Sequence, residues 1–213
     1  DALVFSAYDK TGNLLYTWIW KIKTNDELLS NIILTDTASA SFNETDSTAI
    51  LKGGDVTVRF YKKNGELVSV NNKRGNNLSF TNGPVLVSGN ANVIGMKHYK
   101  DGLDEVVEFT YSGDMNYAKW KMNGSGWLSL EYEYSLNGVY PFAGITFTYP
   151  ENFVLGAKWL GKGPYRVWKN RLQGVTDNVW ANAYNNTQTG ASPWIYPEFK
   201  GYHANVYQAT FET

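Results

Sequence analysis

Leu128-Ser129-Leu130-Glu131-Tyr132-Glu133-Tyr134-Ser135 alternates apolar or aromatic and polar side chains without a break. Side chains on a strand point to opposite faces with period two, so this octet predicts a half-buried antiparallel strand. Val107, Phe109 and Tyr111 alternate in the same way. Turn signals separate further strand-like runs on both sides. Leu3–Tyr8 and Leu14–Lys23 flank Asp9-Lys10-Thr11-Gly12-Asn13, and Val56–Tyr61 and Leu67–Val70 flank Lys62–Glu66 with its Asn64-Gly65 pair. Both read as β-hairpins. Asn137-Gly138 reads as a third turn that sends the chain toward Ala143–Tyr149. Short strands and turns at this spacing predict an all-β chain, built as stacked antiparallel sheets in a sandwich or barrel.

One segment departs from period two. Asp26-Glu27-Leu28-Leu29-Ser30-Asn31-Ile32-Ile33 puts its apolar residues on one helical face, and predicts a short helix capped by Asn25 or Asp26. The expected organisation is an N-terminal piece over residues 1–44, either the end of a preceding β domain or an edge of the sandwich, followed by the main sandwich over 45–213. The polar stretch Thr35–Thr48 is the expected linker. Because the chain starts at Asp1 in strand-like sequence, it reads as a mature or excised fragment.

Composition excludes several function classes. A chain of 213 residues with 43% hydrophobic residues is long and apolar enough to bury a core. Charged residues make up 18% and the net charge is −1, so no basic field exists to attract nucleic acid. No apolar run approaches the ~20 residues of a membrane helix, so no membrane partner is expected. Without cysteine there is no thiolate nucleophile and no Cys-based metal site, and the two histidines, His98 and His203, lie far apart in sequence. Neither a metal nor a cofactor is expected.

Two aromatic and cationic segments stand out. One runs Trp159-Leu160-Gly161-Lys162-Gly163-Pro164-Tyr165-Arg166-Val167-Trp168-Lys169-Asn170-Arg171-Leu172-Gln173-Gly174. The other is Trp194-Ile195-Tyr196-Pro197-Glu198-Phe199-Lys200-Gly201-Tyr202-His203. Glycine and proline set backbone turns here, and flat rings beside cationic heads suit a polar, flat-faced ligand such as a sugar. Gly161-Lys162-Gly163-Pro164 is no phosphate loop, because the third glycine and the following helix are missing and Pro164 lacks an N–H.

These residues resemble the C-terminal sandwich domain of the glycoside hydrolase family 2 β-galactosidases, in which Trp-Leu-Gly-x-Gly-Pro leads into a polar loop ending in Asp-Arg. Weaker likeness runs upstream through Val56–Leu86, where Phe60–Leu67 and Gly83-Pro84-Val85-Leu86 stand in the same order. The resemblance covers about residues 45–213. It implies a galactose-mutarotase-like antiparallel β-supersandwich, an extracellular or periplasmic location, and an accessory role: packing on the catalytic domain of the parent chain and helping to form a carbohydrate pocket. It also implies that the aromatic residue before the basic-Gly pair, here Phe199 before Lys200-Gly201, stacks on the sugar. Arg166, Trp168, Arg171 and Tyr202 complete the carbohydrate-binding set that it suggests. Where the family has Glu-Asn-Tyr-x-Asp-Arg, this chain has Arg166-Val167-Trp168-Lys169-Asn170-Arg171, losing two acids and gaining two cations. That change suits an acidic sugar such as a uronate.

Plainer readings stand beside these. Trp159, after Val154-Leu155-Gly156-Ala157, reads as core. Trp168 and Phe199 read equally as core or as ligand-facing. Arg171 and Asn170 can simply pin their loop. Paired carboxylates for glycoside hydrolysis would come from a separate barrel, so no catalytic residue is expected in this chain. Glu131 with Glu133, and Asp104 with Glu105 and Glu108, read as solvated strand faces. Two other functions remain open: a stand-alone carbohydrate-binding module, and a mutarotase or epimerase using His203 with Glu131 or Glu198 for proton transfer.

Overall fold

The alternation over 128–135 is realised as one edge of a four-stranded antiparallel sheet. The computed structural model describes residues 2–33, 38–73, 77–78, 80–167, 170, 172–184 and 202–213. In chain order the strands are β1 (Ala2–Tyr8), β2 (Leu14–Lys21), β3 (Ser41–Glu44), β4 (Thr48–Gly53), β5 (Val56–Tyr61), β6 (Leu67–Asn72), β7 (Asn77–Leu78) and β8 (Thr81–Leu86). They continue with β9 (Ala91–Asp101), β10 (Asp104–Gly113), β11 (Met115–Met122), β12 (Leu128–Tyr134), β13 (Ile145–Thr148), β14 (Gly156–Gly163), β15 (Thr176–Ala183) and β16 (Gln208–Glu212). All pair antiparallel. The expected all-β, antiparallel class is therefore what the chain adopts. The chain divides into two compact units: Ile33–Pro150, and a discontinuous one made of Asp1–Ile32 with Glu151–Thr213.

The unit Ile33–Pro150 is a sandwich. A five-stranded sheet, ordered β3-β4-β5-β6-β7, shares its core with the four-stranded sheet β12-β11-β10-β9. Leu51, Val58, Phe60 and Leu67 come from the first sheet, and Val107, Phe109, Met115, Trp120 and Met122 from the second. Phe60 is the central contact, with its ring centroid 5.0 Å from Trp120 and 6.3 Å from Phe109. The expected alternation of Val107, Phe109 and Tyr111 is the inward face of β10, where all three are buried. The β8–β13 ladder adds Leu86 and Phe147 to this core.

Three expectations are corrected here. Asn137-Gly138 does not close a hairpin: β13 pairs with β8, far upstream, while β12 pairs only with β11 among the described residues. Thr35–Thr48 is not simply a linker, because Ser41–Glu44 within it is a strand in register with β4. The short helix exists, at Asn25–Ser30, but its cap is Thr24. The Thr24 hydroxyl accepts from the Glu27 N–H at 3.3 Å, and the Glu27 carboxylate accepts from the Thr24 N–H at 2.7 Å. That reciprocal pair is a capping box.

In the discontinuous unit, β14 lies between β15 and β16. The β1–β2 hairpin forms as expected around Asp9–Asn13, and Gly12 supplies the left-handed backbone that the turn needs (φ 87°). The Asp9 carboxylate accepts from the backbone N–H groups of Thr11 and Asn13, both at 2.8 Å, as well as from their side chains. One face of the hairpin carries Leu3, Phe5, Tyr16, Trp18 and Trp20, all exposed.

These contacts carry three predictions. Truncating a side chain in a packed interior costs about 3–5 kcal/mol for phenylalanine, so Phe109→Ala should lower the unfolding free energy by that amount in a denaturant titration. The buried Tyr111 hydroxyl has no hydrogen-bond partner, and burial pushes its phenol up. An unpaired buried hydroxyl contributes nothing, so Tyr111→Phe should melt at or above the wild-type temperature. At the hairpin, hydrogen bonds, first from the Asn13 side chain, hold the Asp9 carboxyl at about 2 against an ordinary 3.8. A depressed folded value stabilises above the unfolded one and is lost as pH falls through the folded one. The hairpin contribution should therefore persist above about pH 4 and fade toward pH 2, with the Asp9 carboxyl carbon titrating near 2 by NMR and shifted upward, toward the ordinary value, in Asn13→Ala.

Candidate functional site

The Trp159–Gly163 part of the first aromatic segment is β14 itself, not a loop. Its two glycines do not make turns. They are strand positions where neighbouring groups occupy the space of a side chain. A Cβ on Gly161 would stand 2.6 Å from the Asn205 carbonyl oxygen and 2.9 Å from the Val206 Cα. A Cβ on Gly163 would stand 2.5 Å from the Trp180 ring. Close approach, rather than backbone freedom, explains both. The Trp180 indole N–H lies 3.2 Å from the Gly161 carbonyl and 3.3 Å from that of Thr176.

Because Gly161 is bare, the segment 204–207 runs along β14. The Lys162 N–H donates to the Ala204 carbonyl at 3.0 Å, and the Tyr207 N–H to that of Leu160 at 2.9 Å. Asn205 takes a left-handed backbone (φ 48°) to do so, a conformation asparagine tolerates better than most residues. Past Pro164 the chain returns at Val167, which exchanges two backbone hydrogen bonds with Tyr202 at 2.9 and 3.0 Å. The two segments singled out in the sequence thus meet at this bridge.

A cleft of about 310 Å³ opens there, lined by Lys162, Leu172, Val175, Tyr202, His203, Ala204 and Asn205. Tyr202 is 46% exposed. His203 packs against buried Trp159, with ring centroids 4.3 Å apart. Its Nδ1 is buried without a hydrogen-bond partner. Burial first, and then the charge of Arg166, hold this imidazole below the usual histidine value, so it is neutral at pH 7. Trp159 is core, as expected, and its indole N–H donates to the Lys162 carbonyl at 3.0 Å. Lys162 Nζ lies 3.2 Å from one Asp177 oxygen, and Lys21 Nζ lies 3.8 Å from the other. Lys21 also sits 3.6 Å from the centroid of the Tyr207 ring, a cation–π contact.

Of the carbohydrate-binding residues expected from sequence, Tyr202 lines this cleft, and Arg166, half-buried, precedes the residue that pairs with it. Trp168, Arg171, Phe199 and Lys200 lie outside the described residues, as do Glu198 and Trp194. Lys162, His203, Asn205 and Asp177 were missing from the expected binding set. The signal for them was Gly161: a glycine inside a strand marks close backbone approach.

The carboxylates of the sandwich unit resolve differently. Glu131 accepts from the Tyr117 hydroxyl and pairs with Lys119, while Glu133 accepts from Asn116. These are solvated strand faces, as read. Glu105 is not, which corrects that expectation: it is 3% exposed, and the His98 Nε2 lies 2.6 Å from it. The Asp101–Asp104 turn brings β9 back beside β10 and makes the two residues diagonal neighbours. Phe42 stacks on the His98 ring with centroids 3.7 Å apart. A second cleft of about 350 Å³, on the other face of that sheet, is lined by Tyr99, Asp101, Lys119, Lys121, Ser129 and Glu131 among others. Its lysines pair with Asp101, Asp104 and Glu131. The described residues contain no group of three or more His, Cys, Asp or Glu arranged to hold a metal.

No protein-family model matches the chain, and no curated protein matches it either. The geometry of the cleft therefore stands on its own residues.

The close approaches at β14 are directly testable. Forcing atoms into packed space costs ~1–3 kcal/mol. Gly163→Ala should cost that much and shift the tryptophan fluorescence, because the Trp180 ring must move. Gly161→Ala should instead perturb the amide resonances of 204–207.

Proposed function

We propose that the chain is an accessory, carbohydrate-contacting β domain of a multidomain glycoside hydrolase of the family 2 β-galactosidase kind, with a galactose-mutarotase-like fold and an extracellular or periplasmic site of action. Its partners in this reading are an oligo- or polysaccharide and the catalytic domain of the parent chain. The observation that carries the reading is the cleft at the Val167–Tyr202 bridge, where the two aromatic and cationic segments converge. Sugars present an apolar C–H face and a rim of hydroxyls. Tyr202 offers an exposed ring for the first. Lys162, Asn205 and the neutral His203 offer donors and acceptors for the second. An open cleft of this kind encloses little of its ligand, so affinity near millimolar, or about −4 kcal/mol, is expected.

The mutarotase-like reading finds one supporting observation, the His98–Glu105 pair. Phe42 covers the imidazole and Glu105 is buried. Neither residue lines either cleft described above, so the carbohydrate-contacting reading is preferred.

Tyr202→Ala should weaken galacto-oligosaccharide binding at least several-fold in an NMR titration while leaving the melting temperature nearly unchanged, because the ring is exposed and the bridge uses only backbone. In the same preparation no nitrophenol should be released from aryl β-galactosides above the uncatalysed rate. Unchanged binding by Tyr202→Ala would remove the cleft from the reading, and hydrolysis lost on replacing Glu105 would make the chain an enzyme.

A further inference from the structure

Asparagine is followed by glycine at Asn64-Gly65, Asn82-Gly83, Asn123-Gly124 and Asn137-Gly138, and all of these pairs lie among the described residues. Each sets a side-chain amide carbon close to the next backbone nitrogen, and glycine has no Cβ to shield that nitrogen. Attack of the nitrogen on the amide is intramolecular, so its rate depends on whether the backbone can reach the reactive geometry. The fold withholds that freedom at the first three pairs. The Gly65 N–H donates to the Tyr61 carbonyl at 2.8 Å, and the Asn64 side-chain oxygen accepts from the Glu66 N–H at 3.2 Å. Gly83 is a buried residue of β8 packed on the Phe147 ring. The Asn123 side-chain oxygen accepts from the Trp127 N–H at 2.9 Å, and Gly124 is buried against the Ala38 carbonyl.

Asn137-Gly138 is different. Both residues are exposed and belong to no strand or helix. Between the anchors at Ser135 and Gly144, no backbone group from Leu136 to Ala143 bonds to another backbone group among the described residues. Neither the Gly138 N–H nor the Asn137 side chain has a hydrogen-bond partner among the described residues. Exposed backbone with so few bonds opens locally at little free-energy cost. One contact acts on the pair: the Tyr140 hydroxyl donates to the Asn137 carbonyl at 3.1 Å. That carbonyl shares its peptide group with the Gly138 N–H, so drawing charge onto its oxygen makes the N–H more acidic.

We propose that Asn137-Gly138 is a site of spontaneous self-modification in the native chain, selected by the fold over the other pairs and promoted by Tyr140. Base removes the Gly138 amide proton, and the nitrogen attacks Asn137 Cγ. The N–Cγ bond forms, the Cγ–Nδ2 bond breaks, and the side-chain nitrogen leaves as ammonia, giving a cyclic imide. Water then opens the imide. Addition at the Asn137 backbone carbonyl carbon leaves the chain running through Cγ, an isoaspartate, whereas addition at Cγ leaves an ordinary aspartate. Water is consumed and ammonia released, with no oxidation or reduction. The Tyr140 bond polarises the backbone carbonyl and so favours isoaspartate. The product adds a negative charge, and as isoaspartate an extra backbone carbon, to the connection that carries β13 to β8. The inference is independent of the carbohydrate reading.

The test incubates the full chain at mildly alkaline pH and follows its peptides by mass spectrometry, with digestion in heavy-oxygen water to mark conversion during handling. In the native chain the amide-to-acid mass gain should arise at Asn137 at least about tenfold faster than at Asn64, Asn82 or Asn123, and its rate should rise with hydroxide. In urea the rates at all the pairs should converge, because only the fold separates them. Tyr140→Phe should slow the native reaction several-fold and move the products toward aspartate, read with an endoprotease that cleaves before aspartate but not before isoaspartate. Faster conversion at another of the pairs, equal rates throughout the native chain, or no conversion at Asn137 overturns the proposal. A preference that persists in urea overturns its basis in the fold. A Tyr140→Phe chain with wild-type rate and product ratio overturns the role of Tyr140.

Discussion

Two absent side chains on one strand set the geometry of the discontinuous unit. Where Gly161 has only hydrogen, the backbone of Asn205 and Val206 fills the space, and where Gly163 has only hydrogen, the Trp180 ring does. With 204–207 held against β14, Tyr202 can reach Val167, His203 can pack on Trp159, and Lys162 stands between the cleft and Asp177. Displacing the C-terminal segment by even one methyl group would strain these contacts together. Interiors are close-packed and do not deform smoothly.

The sandwich unit rests on a different constraint. Phe60 touches both Phe109 and Trp120 across the two sheets, so the apolar faces of β4 to β6 and of β10 and β11 are buried by each other. The outward face of β9 to β12 contributes much less. Its ladder of Lys97 with Glu108, Lys119 with Glu131 and Lys121 with Asp101 and Asp104 is orderly. Exposed pairs of this kind are worth little in stability. Their effect is to keep a broad sheet face polar, with charges of both signs interspersed. The one buried acid among the described residues, Glu105, is held by His98 at the edge strand and belongs to the packing against Phe42.

The legible parts of the fold were the local ones. The hairpins at Asp9–Asn13 and Lys62–Glu66 and the alternation over 128–135 were readable because turn chemistry and period-two patterning act within a few residues. Asn137-Gly138 was readable as a turn but not as to its destination, since β13 pairs with a strand almost sixty residues upstream and no local signal names that partner. The helix cap was present as Thr24-Asn25-Asp26-Glu27, a capping-box pattern overlooked in favour of the nearer amides and acids. Glu105 was misread because burial is set by the strand register and by Phe42, a residue in the other sheet. At the cleft, the residue types drew attention to the correct stretch, but the glycines were assigned to turns when they serve close approach. The same residue answers both needs, and only the neighbours distinguish them.

The discontinuity of the unit Asp1–Ile32 with Glu151–Thr213 bears on the order of events during synthesis. Residues 33–150 form a contiguous unit whose contacts can all be made once Pro150 has emerged, and domains fold as units from the N-terminal side at the pace of translation. The β1–β2 hairpin precedes this unit in the chain yet must wait for β15, its neighbour through Lys21 and Asp177. The intervening sandwich eases that closure in one respect: once folded, it replaces a long floppy loop by a compact body, and closing the ends of a shorter effective loop costs less entropy. An insertion that folds early thus acts as a clamp in time, leaving the two segments of the discontinuous unit to meet after its own folding is complete.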